Sequence, residues 1–259
     1  MAFCGLLLSS CETVIDVDLN DANPQYVIES NLNVEEGIVS AKVSKTASYF
    51  ANDQVELLDN ATVTLDVGGT VTTMNSIGNG TYQATNIFPT AGANVQLNVE
   101  HDGNTFDAAI NPVPEKVRLD SLYSLAGEGP FSGGGNLVFV MFNDPGAVEN
   151  FYRFRVWIND TLQGGGESLF TFDDETIDGT LAEFPLFSFV FDPGDTVTIE
   201  MISIDEGILS YYESMADIVV FQGGGSTAAP ANPSTNVSNG ALGYFNVYAA
   251  DTMGIRIPE

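Results

Sequence analysis

Carboxylates are the most abundant chemically capable groups in this chain, and they crowd most densely in the stretch FDDETIDGT. Asp173, Asp174, Glu175 and Asp178 stand there just ahead of Gly179. Hard oxygen ligands at such short spacing suit Ca²⁺, but the EF-hand spacing and its terminal bidentate Glu are missing. A charged, solvated hairpin loop is the reading the sequence favours. Glycoside hydrolysis needs two carboxylates about 5–10 Å apart, and nothing singles out such a pair among 35 Asp and Glu. His101 is the only histidine; it sits beside Asp102 and Gly103 at an expected turn. It therefore reads as a solvated turn residue rather than a base. No G-x-S-x-G elbow, H-E-x-x-H pair, P-loop or dinucleotide fingerprint occurs. With both cysteines before residue 12 and a single histidine, a zinc site is not expected, and neither is any cofactor.

The other reactive group is a thiol. Leu8-Ser9-Ser10-Cys11 has the form of a bacterial lipobox: an aliphatic residue, two small ones, then a cysteine that receives diacylglycerol. Small residues let the peptidase reach the bond, and the thiol is what the transferase alkylates. Phe3 to Leu8 supplies a short apolar region, so residues 1–10 read as a signal peptide. No Lys or Arg precedes Cys11, which places the basic region upstream of Met1 in a truncated signal. Cys11 is the expected lipid attachment site, and residues 11–24 an acidic tether. No run reaches the roughly 18–20 apolar residues of a transmembrane helix, so the expected membrane contact is through the lipid.

The elements behind these groups are mostly strands. ATVTLDVGGTVTTM puts Val63, Leu65 and Val67 on one face, then turns at Gly68-Gly69. Asn79-Gly80 turns again, and Val95, Leu97 and Val99 lead through Asp102-Gly103 to Phe106, Ala108 and Ile110. About seven short strands across 25–112 form the pattern of an immunoglobulin-like sandwich. NPVPEK at 111–116 removes ladder donors, which places a domain boundary there. Residues 115–259 read as a second β-sandwich. In FYRFRVWIND, Tyr152, Phe154, Val156 and Ile158 point inward and Arg153, Arg155 and Trp157 outward. FPLFSFVF (184–191) is expected to form a hairpin with TVTIEMISI (196–204) across a DPGD turn. A helix near 206–220, capped by Asp205, carries Ile208, Tyr211, Tyr212, Met215 and Val219 at helical spacing. Residues 223–240 read as a long loop, whose Asn232, Asn236 and Asn239 suit Asx hydrogen bonds to backbone. Strands near 241–249 and 253–257 close the chain. The fold class is thus all-β, two β-sandwich domains, the second with one short helix.

Charge narrows the partners. The chain carries 7 Lys and Arg against 35 Asp and Glu, a formal net charge of −28. Such a surface repels phosphate backbones, so no nucleic-acid partner is expected. Anionic headgroups are disfavoured likewise, so membrane association calls for an anchor.

The stretches CETVIDVD, NGTYQA, LDSLYSL, GDTVTIEMISID and PANPSTNVSNGALGYF together resemble an uncharacterised domain-of-unknown-function family of Bacteroidota lipoproteins, often encoded beside TonB-dependent receptors. That resemblance implies a lipid-anchored accessory or ligand-binding partner of a TonB-dependent uptake receptor, on the exterior of the outer membrane, and it assigns no catalytic residue. The chain is read as non-enzymatic. A carboxylate-based glycan hydrolase or carbohydrate-binding surface lipoprotein is the alternative. Arg153, Arg155 and Trp157 are the expected partner-binding residues, since Arg and Trp are enriched among interface hot spots.

Overall fold

A computed structural model describes residues 24–47, 55–127, 135–165, 169–223 and 232–259. The expected signal peptide, Cys11, the expected tether up to residue 23 and positions 224–231 of the expected loop lie outside the described residues.

The chain is mainly β, as the alternation predicts. The largest sheet runs in the order β13 (Thr161–Leu162), β12 (Phe151–Ile158), β16 (Thr196–Ile204), β17 (Leu242–Arg256), β1 (Tyr26–Asn33), β2 (Ile38–Lys45), β7 (Thr81–Thr85) and β6 (Asn75–Gly78). β14 (Thr171–Asp173) also pairs with β12, and β3 (Glu56–Leu57) with β2. A second sheet, β5 (Thr70–Thr73), β4 (Thr62–Val67), β8 (Val95–His101) and β9 (Asn104–Ile110), packs over one half of it. A third, β10 (Leu119–Ala126), β11 (Asn136–Asn143) and β15 (Leu181–Pro185), packs over the other.

Each sandwich therefore has its own core, and both are built from the alternating apolar positions. Val63, Leu65, Val95, Leu97, Val99 and Ile110 fill the first against Ile28, Leu32 and Val43. Tyr152, Phe154, Val156, Val138, Val140 and Ile199 fill the second. The expected hairpin turns form at residues that accept a positive φ: Gly68 and Gly69, Asn79 and Gly80, Asp102 and Gly103.

Buried apolar residues up to Val113 fill the first core and those from Val117 to Met201 the second, while the end of the chain serves both. The two closing strands expected near 241–249 and 253–257 are a single strand, β17. Its first part pairs in parallel with β1, Val27 opposite Leu242 through Asn33 opposite Tyr248. Its second part pairs antiparallel with β16, Ala249 opposite Ser203 through Arg256 opposite Thr196. Val237, Ala241, Phe245 and Val247 thus belong to the first core, and Ile257 to the second. The first core therefore takes residues from beyond 112.

A second correction concerns FPLFSFVF. Only Leu181–Pro185 is strand, and it pairs with β11. Beyond Pro185 the backbone turns tightly, Phe189 N–H donating to the Leu186 carbonyl, and Phe191 makes an isolated bridge to Asn136. β16 lies instead between β12 and β17.

The helix α1 (Glu206–Gly223) starts where the cap predicts, with Ile208 N–H donating to Asp205 Oδ1 at 2.9 Å. Ile208, Tyr211 and Tyr212 are buried against Ile202, Ile204 and Tyr244. No helix of the described residues is long and apolar enough to cross a membrane.

The asparagine-rich segment has a structural task. Ser238 N–H donates to the Asp107 carbonyl, and Ser238 Oγ accepts from Asp107 N–H, each at 2.8 Å. Asn239 Nδ2 donates to the Thr105 carbonyl, so this segment covers the open edge of β9. Asn236 serves both backbone groups of Phe245, accepting from its N–H at 2.8 Å and donating to its carbonyl at 2.7 Å. An edge strand left bare would be a template for pairing with another chain.

Candidate functional site

Arg153, Arg155 and Trp157 lie on the face of β12 opposite the second core, since Tyr152, Phe154 and Val156 point into it. All three are half-buried rather than freely exposed. The Arg153 guanidinium sits 4.2 Å over the ring of Tyr212 from α1 and donates to its hydroxyl at 3.0 Å. Arg155 pairs with the buried Glu200 on the neighbouring β16, and its guanidinium carbon lies 5.5 Å from the Trp157 ring. The same face continues on β17 through Tyr244 and Tyr248, both half-buried. Asn31 on β1 donates to the Tyr244 hydroxyl at 3.1 Å. Burial raises the pKa of Tyr244 and of Tyr248, with Arg155 pulling the latter back down. These phenols are neutral donors at physiological pH. The outcome is a stripe of aromatic and planar cationic groups held in fixed geometry by the helix above and the carboxylate beside them. Preordered Arg and aromatic side chains lose little entropy when a partner settles on them.

Asp173, Glu175 and Asp178 of the acidic stretch are exposed, as a solvated loop requires, but Asp174 is not. Asp174 is 4% exposed and meets Asp144, 6% exposed, from the turn after β11. With the exposed Asp178 they bring carboxylate oxygens within 4.8 Å of one another. Asp173 and Glu175, the other two carboxylates of the stretch, are exposed and stand apart from this group. The sequence hid the cluster because Asp144 lies in NDPG, which reads as a turn and nothing more.

Each carboxylate is held by the opposite loop. Gly179 N–H donates to Asp144 Oδ2 at 3.0 Å, Ala147 N–H to Asp178 Oδ1 at 3.0 Å, and Asn150 N–H to Asp174 Oδ2 at 2.9 Å. The buried Tyr152 hydroxyl donates to Asp144, and burial together with that carboxylate pushes the phenol's pKa far up. The loops touch at two glycines: a Cβ on Gly146 would stand 3.1 Å from the Gly179 Cα. The group staples two loops, and its oxygens are of the kind a hard cation prefers.

Burial raises the pKa of Asp174 and Asp144 adds to the rise, while the Asn150 N–H opposes it. A carboxyl whose folded pKa exceeds its unfolded one stabilises the fold fully below the unfolded value. That contribution is lost as pH rises through the folded pKa. Asp174→Asn keeps an acceptor for Asn150 and discards the charge. It is expected to raise Tm at pH 7 by on the order of 2–4 °C, a gain that disappears below the unfolded carboxylate pKa. A calcium-dependent rise in the Tm of the unaltered protein, absent from Asp174→Asn, is the signature of a cation in the cluster.

His101 corrects its own expectation: it is 5% exposed. Its ring nitrogens lie 2.9 Å from the Tyr26 hydroxyl and 3.0 Å from Asn60 Oδ1. Since the amide oxygen can only accept, Nε2 donates to it, while Nδ1 faces the Tyr26 hydroxyl and, at 3.5 Å, the Asp102 carboxylate. Local pattern could not show this, because both partners are distant in sequence.

With this geometry in place, the chain can be set beside known proteins. The family described as "Domain of unknown function (DUF4249)" matches residues 12–253. No curated protein matches the chain. Among solved structures, a "putative carbohydrate binding protein" from Bacteroides uniformis aligns over 90% of this chain and 98% of its own, at 10% identity and a TM-score of 0.26.

Proposed function

We propose that this chain, which belongs to the DUF4249 family of domains of unknown function, is a non-enzymatic outer-membrane lipoprotein. In this reading it faces the cell exterior and serves a TonB-dependent nutrient-uptake receptor as accessory or ligand-binding partner. The observation that carries it is the Leu8-Ser9-Ser10-Cys11 motif, placed one residue before the family region begins at 12. Cleavage there leaves the whole family region behind a lipid-bearing cysteine. Two or three acyl chains hold a protein on a bilayer stably where one is marginal, so a surface of formal charge −28 needs no help from headgroups.

Docking falls to the β12 face. Arg153, Arg155 and Trp157 are ordered beforehand by Tyr212, Glu200 and one another, and such anchors dominate interface energies. The test is affinity purification of the anchored protein from membranes with identification of the co-purifying receptor. Replacing Arg153, Arg155 and Trp157 together by Ala is expected to lower receptor recovery at least about tenfold while circular dichroism stays unchanged. Full recovery with the folded triple variant removes that face from the reading. Robust turnover of a glycan or peptide, lost on changing two facing carboxylates, overturns the non-enzymatic reading itself.

A further inference from the structure

The two halves do not close flush. At their junction, where α1 begins, lies a cavity of about 670 Å³. That is within the roughly 300–1,000 Å³ typical of small-molecule sites, and domain junctions are where such sites concentrate. The first half contributes residues 91–92 and 111–115; the second contributes 145, 148–151 and 203–207. Pro112, Pro114, Val148, Phe151 and Ile204 give it apolar walls.

Its charges have one sign. Glu115, Glu149, Asp205 and Glu206 line it, and no Lys, Arg or His does. The first turn of a helix ordinarily favours anions, but four carboxylates stand against that preference here. Asp205 is half-buried and spends one oxygen on its cap; Glu115, Glu149 and Glu206 are exposed and free to turn toward a guest. The four do not converge as a metal shell does: among the described residues only Asp144, Asp174 and Asp178 bring their oxygens within 4.8 Å. A charge spread around an apolar-walled cleft focuses potential on a larger cation.

We propose that this cavity binds an organic cation, a primary ammonium or guanidinium carried on an apolar body. The carbon chain lies along Pro112, Phe151 and Ile204, and the charged head meets the carboxylates. This holds wherever the protein is anchored. The same chemistry comes from two sources, a free amine or a lysine side chain displayed by a peptide.

Calorimetric titration of the full chain tests it with four probes: cadaverine, Nα-acetyl-lysine amide, the peptide Ala-Ala-Lys-Ala-Ala, and the neutral Nα-acetyl-norleucine amide. At least one amine is expected to bind, at least tenfold tighter than the norleucine compound. Glu149→Gln combined with Glu206→Gln is expected to weaken that binding at least tenfold, whereas Glu56→Gln, on β3 and outside the cavity, leaves it unchanged. Cadaverine binding as well as the peptide supports a free amine as the guest. Binding of the peptide alone supports a displayed side chain. If no amine binds, if the norleucine compound binds equally, or if the double variant, melting as the unaltered protein does, binds undiminished, the proposal is overturned.

Discussion

Gly243→Ala is expected to lower Tm by on the order of 10 °C and to bring both halves down in one transition. Gly243 holds φ +95° inside β17, a region that costs an L-residue about 1–3 kcal/mol. An added Cβ would also overlap the Ile28 carbonyl on the paired strand. That atom is backbone and cannot rotate away, so relief requires β1 and β17 to separate. Overpacking of this kind costs a further ~1–3 kcal/mol, against a total stability of roughly 5–15 kcal/mol for an ordinary domain. Because β17 is strand to both sandwiches, the fluorescence of Trp157, in the half remote from the clash, should report the same lowered midpoint as far-ultraviolet circular dichroism. Gly254→Ala is the control, since its Cβ would meet nothing nearer than 3.6 Å. Two separated transitions in the Gly243 variant would show that the halves do not depend on the shared strand.

Cys11→Ala is expected to move essentially all of the protein out of the membrane fraction, or to leave its precursor uncleaved there. If Cys11 is the lipid attachment site, its sulfur is the atom alkylated, and the loss is all-or-none rather than graded. Each buried methylene contributes about 0.8 kcal/mol, and losing every chain removes far more than the protein surface could replace. Fractionation of the expressed protein, with labelled fatty acid, reads the outcome. Failure of the label to enter the unaltered protein ends the lipoprotein reading.

What sequence could show here depended on distance along the chain. Hairpins were legible because their turns are local: a Gly or Asn at positive φ between two alternating runs specifies its own partner. The N-cap of α1 was legible for the same reason, Asp205 reaching only three residues ahead. Parallel pairing carries no such signal, so β1 beside β17 could not be foreseen. The aromatic run after Pro185 has the apolar content of a strand without its backbone. Phe187, 62% exposed, shows a turn that hydrophobicity alone conceals. The acidic cluster and the burial of His101 were hidden alike, each assembled from residues that only the folded chain brings together. Arg153, Arg155 and Trp157 were placed on the correct face by period-two alternation. Their cover by Tyr212 and Glu200 was not legible, since it comes from a helix and a strand made later.

The β1–β17 pairing also bears on how the protein is born. Val27 emerges from the ribosome early and has to wait for Leu242 before the ladder beside it can close. Until then the first sandwich lacks Phe245 and Val247 from its core, and the edge of β9 lacks its covering segment. Pairings so distant in sequence form slowly, because the intervening loop has to be closed first. A nascent chain held open in this way stays pliable along its length, and it locks only once its far end has been made.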